Sequence, residues 1–301
     1  MSTLLWNPTL AATLPAGYDL TALPYPLLAS PKLDGVRAMV QRGVLVSRNG
    51  RPISNLQAQL KFGRAELEGL DGELTVGPPC GEDVFNRTVR VTQKRDADAS
   101  GLQFNVFDRV DVAEMELSFV GRNAALKATG FPRSVNVVKQ TLIKTAEQLV
   151  KYEQAQLVKG YEGCMLRSTS FMAGYPQKRS TFYEFALVKM KRRERATAHV
   201  LAIYALEHNL NQEKTGTGRR SSKKTSIIKD KTRIGSALLK DTKTGVEFTA
   251  SVSGNVLQNW KGWQNKKVWI GKTVVYQYQL YGTINAVPRF PVCKFTELIG
   301  A

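Results

Sequence analysis

The sequence is poor in the residues that build disulfide frameworks and metal centres. It has three cysteines in 301 residues, Cys80, Cys164 and Cys293. Because they are odd in number and far apart, they suit a reducing interior and form neither a disulfide framework nor a Cys-x-x-Cys metal site. The only two histidines, His199 and His208, lack matching cysteines, so we expect surface or packing roles for them.

The sequence also lacks signals for export and for membranes. No apolar run approaches the length that spans a bilayer. Residues 1–8 do not contain the basic region that opens a signal peptide. We therefore expect an intracellular, cytoplasmic protein that does not bind membranes.

Acidic residues are scarce relative to basic ones. The chain carries 43 Lys and Arg against 25 Asp and Glu, a formal net charge of +18. Residues 1–193 have 26 basic and 18 acidic side chains, and residues 194–301 have 17 and 7, so the shorter C-terminal part is more basic per residue. An excess of this size predicts a polyanionic partner, and nucleic acid fits it.

The length and the order of the predicted elements indicate two domains. Four prolines make residues 1–26 an irregular or edge-forming segment. Alternating patterns then predict strands at 27–29, 36–40, 44–47, 70–76, 102–108, 163–167 and 184–191, a loop at 77–101, and helices at 54–68, 110–130 and 140–159. Beyond residue 193 they predict strands at 197–206, 234–240, 246–252 and 273–281 and a helical piece at 254–264, which is typical of a small barrel such as an OB-fold.

One basic segment, 211–233, does not have the composition of a folded element. It contains eight basic and two acidic residues and almost no large apolar side chain. Such a segment buries too little surface to offset its ordering entropy. We therefore expect a mobile loop there.

A short motif, residues 30–37, contains Lys32, Asp34 and Gly35 in the order Lys-x-Asp-Gly. We interpret Lys32 as a nucleophile that takes a nucleotide onto its side chain. The tetrapeptide is common, and a charged strand end followed by a turn glycine is the alternative. Lys189 and Lys191 alternate along a predicted strand, so their amines share one face.

Other signals follow the lysine motif in a fixed order. Glu73 lies in an Asp-Gly-Glu strand, Phe107 in Val-Phe-Asp, and Glu162 opens Glu-Gly-Cys-Met-Leu-Arg. Each has an ordinary structural interpretation when taken singly: a turn acid, a core aromatic, a strand-end charge. Together with Lys32, Lys189 and Lys191, they resemble the covalent nucleotidyltransferases, and specifically the small ATP-dependent DNA ligases of viruses and phages.

The resemblance covers nearly the whole chain. Residues 28–37 resemble the first motif of that family, 47–48 the arginine motif, 70–74 the third, 105–108 the aromatic motif, 162–167 the fourth, 187–191 the fifth and 288–292 the start of the sixth. It implies an α/β (α+β) fold: an ATP-grasp-like nucleotidyltransferase domain of antiparallel sheets and flanking helices at 1–193, and an OB-fold β-barrel at 194–301. The sixth motif departs from the usual pattern at residues 293–297.

The resemblance also implies a role for each candidate residue. Lys32 would attack ATP and carry AMP, because a lysine amine is nucleophilic when nearby cations favour its neutral form. By the same resemblance, Asp34 would orient the reacting groups, Phe107 would stack on adenine, Glu73 would bind the ribose, and Glu162 with Asp34 would bind Mg²⁺ or Mn²⁺. Phosphate groups would be bound by basic residues: the AMP phosphate by Lys189 and Lys191, a 5′-phosphate by Arg37, Arg48 and Arg179, and the pyrophosphate by Arg289 and Lys294.

The expected partner is nicked double-stranded DNA, clasped by a monomer through the 211–233 segment in the manner of a latch. Two alternatives share the lysine motif, namely an RNA ligase and an mRNA-capping guanylyltransferase. A third is a non-catalytic OB-type nucleic-acid-binding protein. The intact set of charged residues argues against that third interpretation.

Overall fold

The computed structural model describes residues 4–15, 17–81, 83–110, 115–191, 193–211, 227–254, 263–284 and 287–299. The chain divides into two compact units, Met1–Lys191 and Arg192–Ala301. No helix among the described residues is long and apolar enough to cross a membrane.

The first unit contains two five-stranded sheets, with order β1-β10-β9-β2-β8 in one and β4-β3-β5-β6-β7 in the other. Its described strands are β1 (Ala12–Thr13), β2 (Leu27–Pro31), β3 (Val36–Gln41), β4 (Val44–Ser47), β5 (Leu70–Val76), β6 (Leu102–Arg109), β7 (Val135–Val137), β8 (Thr141–Ile143), β9 (Gly163–Ser168) and β10 (Val188–Lys191). Most neighbouring strands pair antiparallel, whereas β1 with β10 and β6 with β7 pair parallel. Each sheet has its own apolar core, built around Leu27, Leu166 and Val188 in one and around Leu74, Phe104 and Val106 in the other.

Four described α-helices flank these sheets: α1 (Leu56–Phe62), α2 (Val84–Gln93), α3 (Phe119–Ala128) and α4 (Ala146–Val158). Three lie within predicted helices, although α4 begins later than expected because residues 141–143 form β8. Helix α2 was not predicted, and the loop expected at 77–101 is wrong over those ten residues. It buries Val84, Thr88 and Thr92 at helical spacing.

The second unit is a closed five-stranded barrel with strand order β11-β12-β13-β15-β14. Its described elements are β11 (Glu194–Asn209), β12 (Ile227–Asp241), β13 (Glu247–Val252), α5 (Lys266–Trp269), β14 (Thr273–Ile284) and β15 (Val287–Ile299). Val200, Leu239, Phe248 and Tyr276 fill its core. This order is consistent with an OB-fold, and the predicted fold class is confirmed.

One expectation about the second unit needs correction. Residues 227–233 belong to β12, and residues 227–230 pair with β11, so they are not part of a loop. Residues 212–226 of the predicted loop lie outside the described part of the chain. Residues 255–262 of the helical piece expected at 254–264 also lie outside it, whereas residues 263 and 264 are helical and a short helix follows at Lys266–Trp269.

Candidate active site

A cavity of about 280 Å³ in the first unit gathers residues from both sheets, and we call it the nucleotide cavity. It receives seven of the candidate residues from distant parts of the sequence. Its lining residues are Leu10, Ala11, Ser30, Pro31, Lys32, Leu33, Arg37, Arg48, Glu73, Phe107, Val138, Gln140, Met165, Arg167, Arg179, Leu187 and Lys189. Apolar walls with a few convergent polar groups are the usual composition of a small-molecule site.

Lys32 directly follows strand β2, and its side chain forms an ion pair with the carboxylate of Glu162. The backbone brings the two residues together, because the Lys32 N–H donates to the carbonyl of Gly163 at 2.8 Å. Pairing of β2 with β9 extends this contact, with Pro31 opposite Cys164. The side chains of Lys32 and Glu162 are 22% and 8% exposed, so this charge pair is largely removed from solvent.

Gly35 has a steric reason to be glycine. A Cβ atom placed on it would lie 2.1 Å from the backbone oxygen of Leu74 and 3.0 Å from the Cγ of Glu73. The close approach lets the loop after Lys32 lie directly against β5, which carries Glu73. The glycine of the Lys-x-Asp-Gly motif therefore brings the lysine and the glutamate to one cavity.

Glu73 is the acid of the cavity whose protonation is most altered. Burial raises its pKa to about 7, although the nearby positive charges of Lys32 and Arg37 and a hydrogen bond from the Gly35 N–H oppose the change. Asp34, which is buried, adds to the rise. Glu73 therefore titrates close to neutral pH.

Phe107 points out of its sheet, since the residues on either side of it on β6 are buried and it is only partly so. Its ring and the thioether of Met165 both line the cavity. The guanidinium of Arg37 lies 5.4 Å from the ring centroid, which is within cation–π range. The part of the Phe107 ring that lines the cavity can contact a flat ligand.

Lys189 and Lys191 share one face of β10, because Val188 and Met190, which alternate with them along the strand, are buried. Lys189 lines the nucleotide cavity. Lys191 is paired in register with Gly163, the residue after Glu162, and is not among the lining residues. The predicted face is confirmed, but only one of its two amines reaches the cavity wall.

Arg37 is committed to a buried ion pair that the sequence did not predict. Its Nε and Nη2 donate to the two carboxylate oxygens of Asp71 at 2.9 and 2.6 Å, and its Nη1 donates to the Thr9 carbonyl at 2.6 Å. Burial alone would lower the pKa of this guanidinium, but the contact with Asp71 outweighs burial and raises it. Arg37 therefore presents a fixed positive charge at the cavity wall.

A second buried charge cluster lies beside this pair. Asp108 accepts hydrogen bonds from Arg122 Nε at 2.8 Å and Nη2 at 3.2 Å, and an Arg167 nitrogen lies 3.5 Å away. Tyr175 Oη donates to Asp71 at 2.9 Å and accepts from the Thr9 N–H at 2.9 Å. Along β6, the partly exposed Phe107 is followed by the buried Asp108. This alternation is the one local feature that could have indicated the cluster.

The remaining candidates divide between the two units. Arg48 and Arg179 line the nucleotide cavity, and Arg179 Nη1 donates to the Ala11 carbonyl at 3.1 Å. Arg289 and Lys294 lie on β15 of the second unit, where the Arg289 guanidinium lies 4.9 Å from the Phe290 ring centroid.

Clustered side-chain donors for a metal ion are sparse among the described residues. No group of three or more His, Cys, Asp and Glu side chains in the described ranges could hold a metal by itself. Mg²⁺ commonly binds through one or two carboxylates together with substrate phosphates. Glu162 and Asp34 fit that pattern, which needs the substrate to complete the coordination.

Comparison with known proteins gives concordant results. Residues 8–191 match the family described as the ATP dependent DNA ligase domain. No curated protein matches the chain. Two crystal structures of the Chlorella virus DNA ligase-adenylate are similar to it, at 26% and 27% identity and TM-scores of 0.52 and 0.53. The first covers 97% of this chain and 99% of its own, and the second covers 99% of both. A Lig E DNA ligase is similar in fold, with a TM-score of 0.69 at 23% identity over 98% of this chain and all of its own.

Proposed function

The chain belongs to the ATP-dependent DNA ligase domain family, and from this premise we propose that it seals nicks in duplex DNA through a covalent lysyl-AMP intermediate. It is an enzyme that uses ATP to form phosphodiester bonds. The observation that carries the proposal is the nucleotide cavity itself, where Lys32 lies with Glu73, Phe107 and Lys189.

In the first step, the neutral amine of Lys32 attacks the α-phosphorus of ATP. A bond forms between Nζ and phosphorus, and the bond from that phosphorus to the pyrophosphate oxygen breaks. Glu162 contacts the amine and can accept its proton. Glu162 and Asp34 would hold Mg²⁺ or Mn²⁺ together with the ATP phosphates, and the metal would neutralise phosphate charge.

The cavity walls would hold the nucleotide during this step. Phe107 stacks on adenine, and Met165 lines the same cavity. Glu73 hydrogen-bonds the ribose hydroxyls. Lys189 contacts the α-phosphate, and Lys191 lies on the same strand face without lining the cavity.

In the second step, the 5′-phosphate at the nick attacks the lysyl-AMP phosphorus and releases Lys32. In the third, the adjacent 3′-hydroxyl attacks that 5′-phosphorus and expels AMP, which closes the strand. Arg48 and Arg179 would bind the 5′-phosphate, and Arg37 supplies the fixed charge beside them. Arg289 and Lys294 would orient the departing pyrophosphate in the first step.

The proposed substrate is nicked duplex DNA bound by a monomer. The surplus of basic residues supports a polyanionic substrate, and the similar solved structures are DNA ligases. Because residues 227–233 form part of β12, the proposed latch shortens to 211–226. The latch has a basic composition suited to phosphate contacts.

The experiment compares nucleotides and then substrates. Incubation with radiolabelled ATP and Mg²⁺ labels the protein and GTP does not, and the labelled protein seals a nicked duplex faster than it joins single-stranded RNA. Labelling by GTP would indicate capping chemistry, and preferential RNA joining would indicate an RNA ligase. Light scattering of the complex with nicked DNA tests for one protein per nick.

A further inference from the structure

The first unit contains a second cavity, of about 350 Å³, which has no part in the ligation steps above. It shares Pro31, Leu33 and Val138 with the nucleotide cavity and otherwise has its own lining. Its volume lies within the range of small-molecule sites, and it is more than an inorganic phosphate would fill.

The charged groups of this second cavity all have one sign. Lys139 and Lys159 line it, and none of its described lining residues is Asp or Glu. Asn136, Tyr152 and Tyr161 contribute further polar groups. Burial raises the pKa of the Tyr152 phenol, which therefore stays protonated. This set of donors suits the oxygens of an anion.

Gln156 adds an amide to the second cavity. It lies on α4, is 7% exposed and lines the cavity. A side-chain amide can both donate to and accept from a ligand.

The rim of the cavity is built before any ligand arrives. The Gly81 N–H donates to the Gly160 carbonyl at 2.9 Å, which fixes the loop of Pro79 against the turn between Lys159 and Tyr161. Across the cavity, Asn136 Nδ2 donates to Asn105 Oδ1 at 3.4 Å. A preformed site spares the ligand the ordering of its contacts.

We propose that the second cavity binds a small organic phosphate of about mononucleotide size, with its phosphate on Lys139 and Lys159 and its remainder on Gln156 and the apolar floor of Pro31 and Leu33. This site goes beyond the proposed ligase reaction and does not depend on it. Since Pro31 and Leu33 flank Lys32, an occupant contacts the segment that positions the nucleophile.

Calorimetric titration of the whole protein with AMP tests the site. Two binding sites are expected. The double variant Lys139→Ala/Lys159→Ala should weaken one of them by about tenfold or more, because each lysine is a charged hydrogen-bond donor. The double variant Arg48→Ala/Lys189→Ala should weaken the other. Lys144→Ala/Lys151→Ala removes the same charge from exposed positions near and on α4 and should leave both sites unchanged.

Gln156→Leu separates binding from folding. Because no described hydrogen bond is lost with the Gln156 amide, an apolar side chain there should leave the Tm close to that of the parent, while AMP binding to the second site weakens. Adenosine, which lacks the phosphate, should bind there about tenfold or more weakly than AMP, and inorganic phosphate should compete with AMP.

Two results would overturn the proposed second site, and a third would refute only the ligase mechanism. A single site that is lost in the Arg48/Lys189 variant and unchanged in the Lys139/Lys159 variant would overturn the proposal. Competition by a short DNA duplex but not by inorganic phosphate would assign the lysines to the DNA backbone and overturn it as well. A protein that fails to form lysyl-AMP and still shows the second site would refute only the ligase mechanism.

Discussion

Lys32 and Glu162 form an ion pair at the wall of the nucleotide cavity. The backbone holds them together, because the Lys32 N–H donates to the carbonyl of Gly163, the residue after Glu162, at 2.8 Å. An ammonium group paired with a carboxylate has no free lone pair. Under the proposed mechanism, the pair holds Lys32 in an inactive form and must separate before the amine attacks ATP.

Removing the amine of Lys32 should abolish covalent labelling. Lys32→Ala has no nucleophile, and we expect no mass increase of one adenylyl group after incubation with ATP and Mg²⁺. Lys32→Arg is the matched control, because it keeps a cation opposite Glu162 and remains non-nucleophilic. A labelled Lys32→Ala protein, checked by intact mass spectrometry, would show that another residue carries the nucleotide.

Glu162→Gln should change the metal requirement as well as the rate. The amide is a weaker ligand for Mg²⁺, so the Mg²⁺ concentration for half-maximal adenylation should rise about tenfold or more. Stopped-time labelling across a Mg²⁺ series measures it. Glu184→Gln, which removes an exposed carboxylate that pairs with Lys178, is the control. An unchanged Mg²⁺ dependence in Glu162→Gln contradicts the metal role.

Glu73 should make the stability of the first unit depend on pH. Its pKa is about 7 in the folded protein against an ordinary value of 4.5, so the folded state binds the proton more tightly. Its contribution to stability is full below about 4.5 and is lost as the pH rises through about 7.

Urea unfolding at several pH values measures this dependence. The free energy of unfolding of the parent should fall relative to that of Glu73→Gln between pH 4.5 and 7, and the two should run parallel at higher pH. Parallel curves across the whole range would show that Glu73 titrates normally.

Phe107→Ala should weaken ATP binding through the loss of base stacking. Stacking of a base on an aromatic ring contributes ~1–3 kcal/mol, so the KM for ATP in the labelling reaction should rise by about tenfold or more. Phe107→Tyr retains the ring and should stay close to the parent. If Phe107→Leu binds ATP as well as Phe107→Tyr does, the contact is hydrophobic filling and not stacking.

The salt dependence of nick binding tests the proposed latch. Replacing the five basic residues Lys214, Arg219, Arg220, Lys223 and Lys224 by serine should weaken binding and reduce the slope of log affinity against log salt by about one for each DNA phosphate that is no longer neutralised. Self-adenylation should be unaffected. An equal slope in both proteins, measured by fluorescence anisotropy, would remove the latch from the proposal.

Local patterns predicted most of the elements that carry the site, although the strand expected at 184–191 begins only at Val188. The alternation of Lys189 and Lys191 predicted their shared face, and strand spacing predicted β5 and β6 with Glu73 and Phe107. The ion pair of Arg37 with Asp71 joins residues 34 apart, and no local pattern reports such a contact. The sequence therefore predicted a substrate contact for Arg37 and did not predict its buried ion pair with Asp71.

Helix α2 shows why one element escaped prediction. The Gly/Pro-rich and charged composition of residues 77–101 favoured a loop, and the β-branched Thr88 and Thr92 are poor helix formers. In the structure the Thr88 hydroxyl donates to the Val84 carbonyl at 2.8 Å and accepts from the Val76 N–H at 3.0 Å. These contacts satisfy the hydroxyl while the helix packs on β5, so tertiary structure outweighs local preference.

Strand β1 determines when, during synthesis, the wall of the nucleotide cavity can be completed. Ala12 pairs with Val188, and the Leu14 N–H donates to the Lys189 carbonyl at 3.0 Å, while Leu10 and Ala11 form one side of the cavity. Val188 is synthesised 176 residues after Ala12. A nascent chain released before that point would contain Lys32 but would have no completed place for ATP.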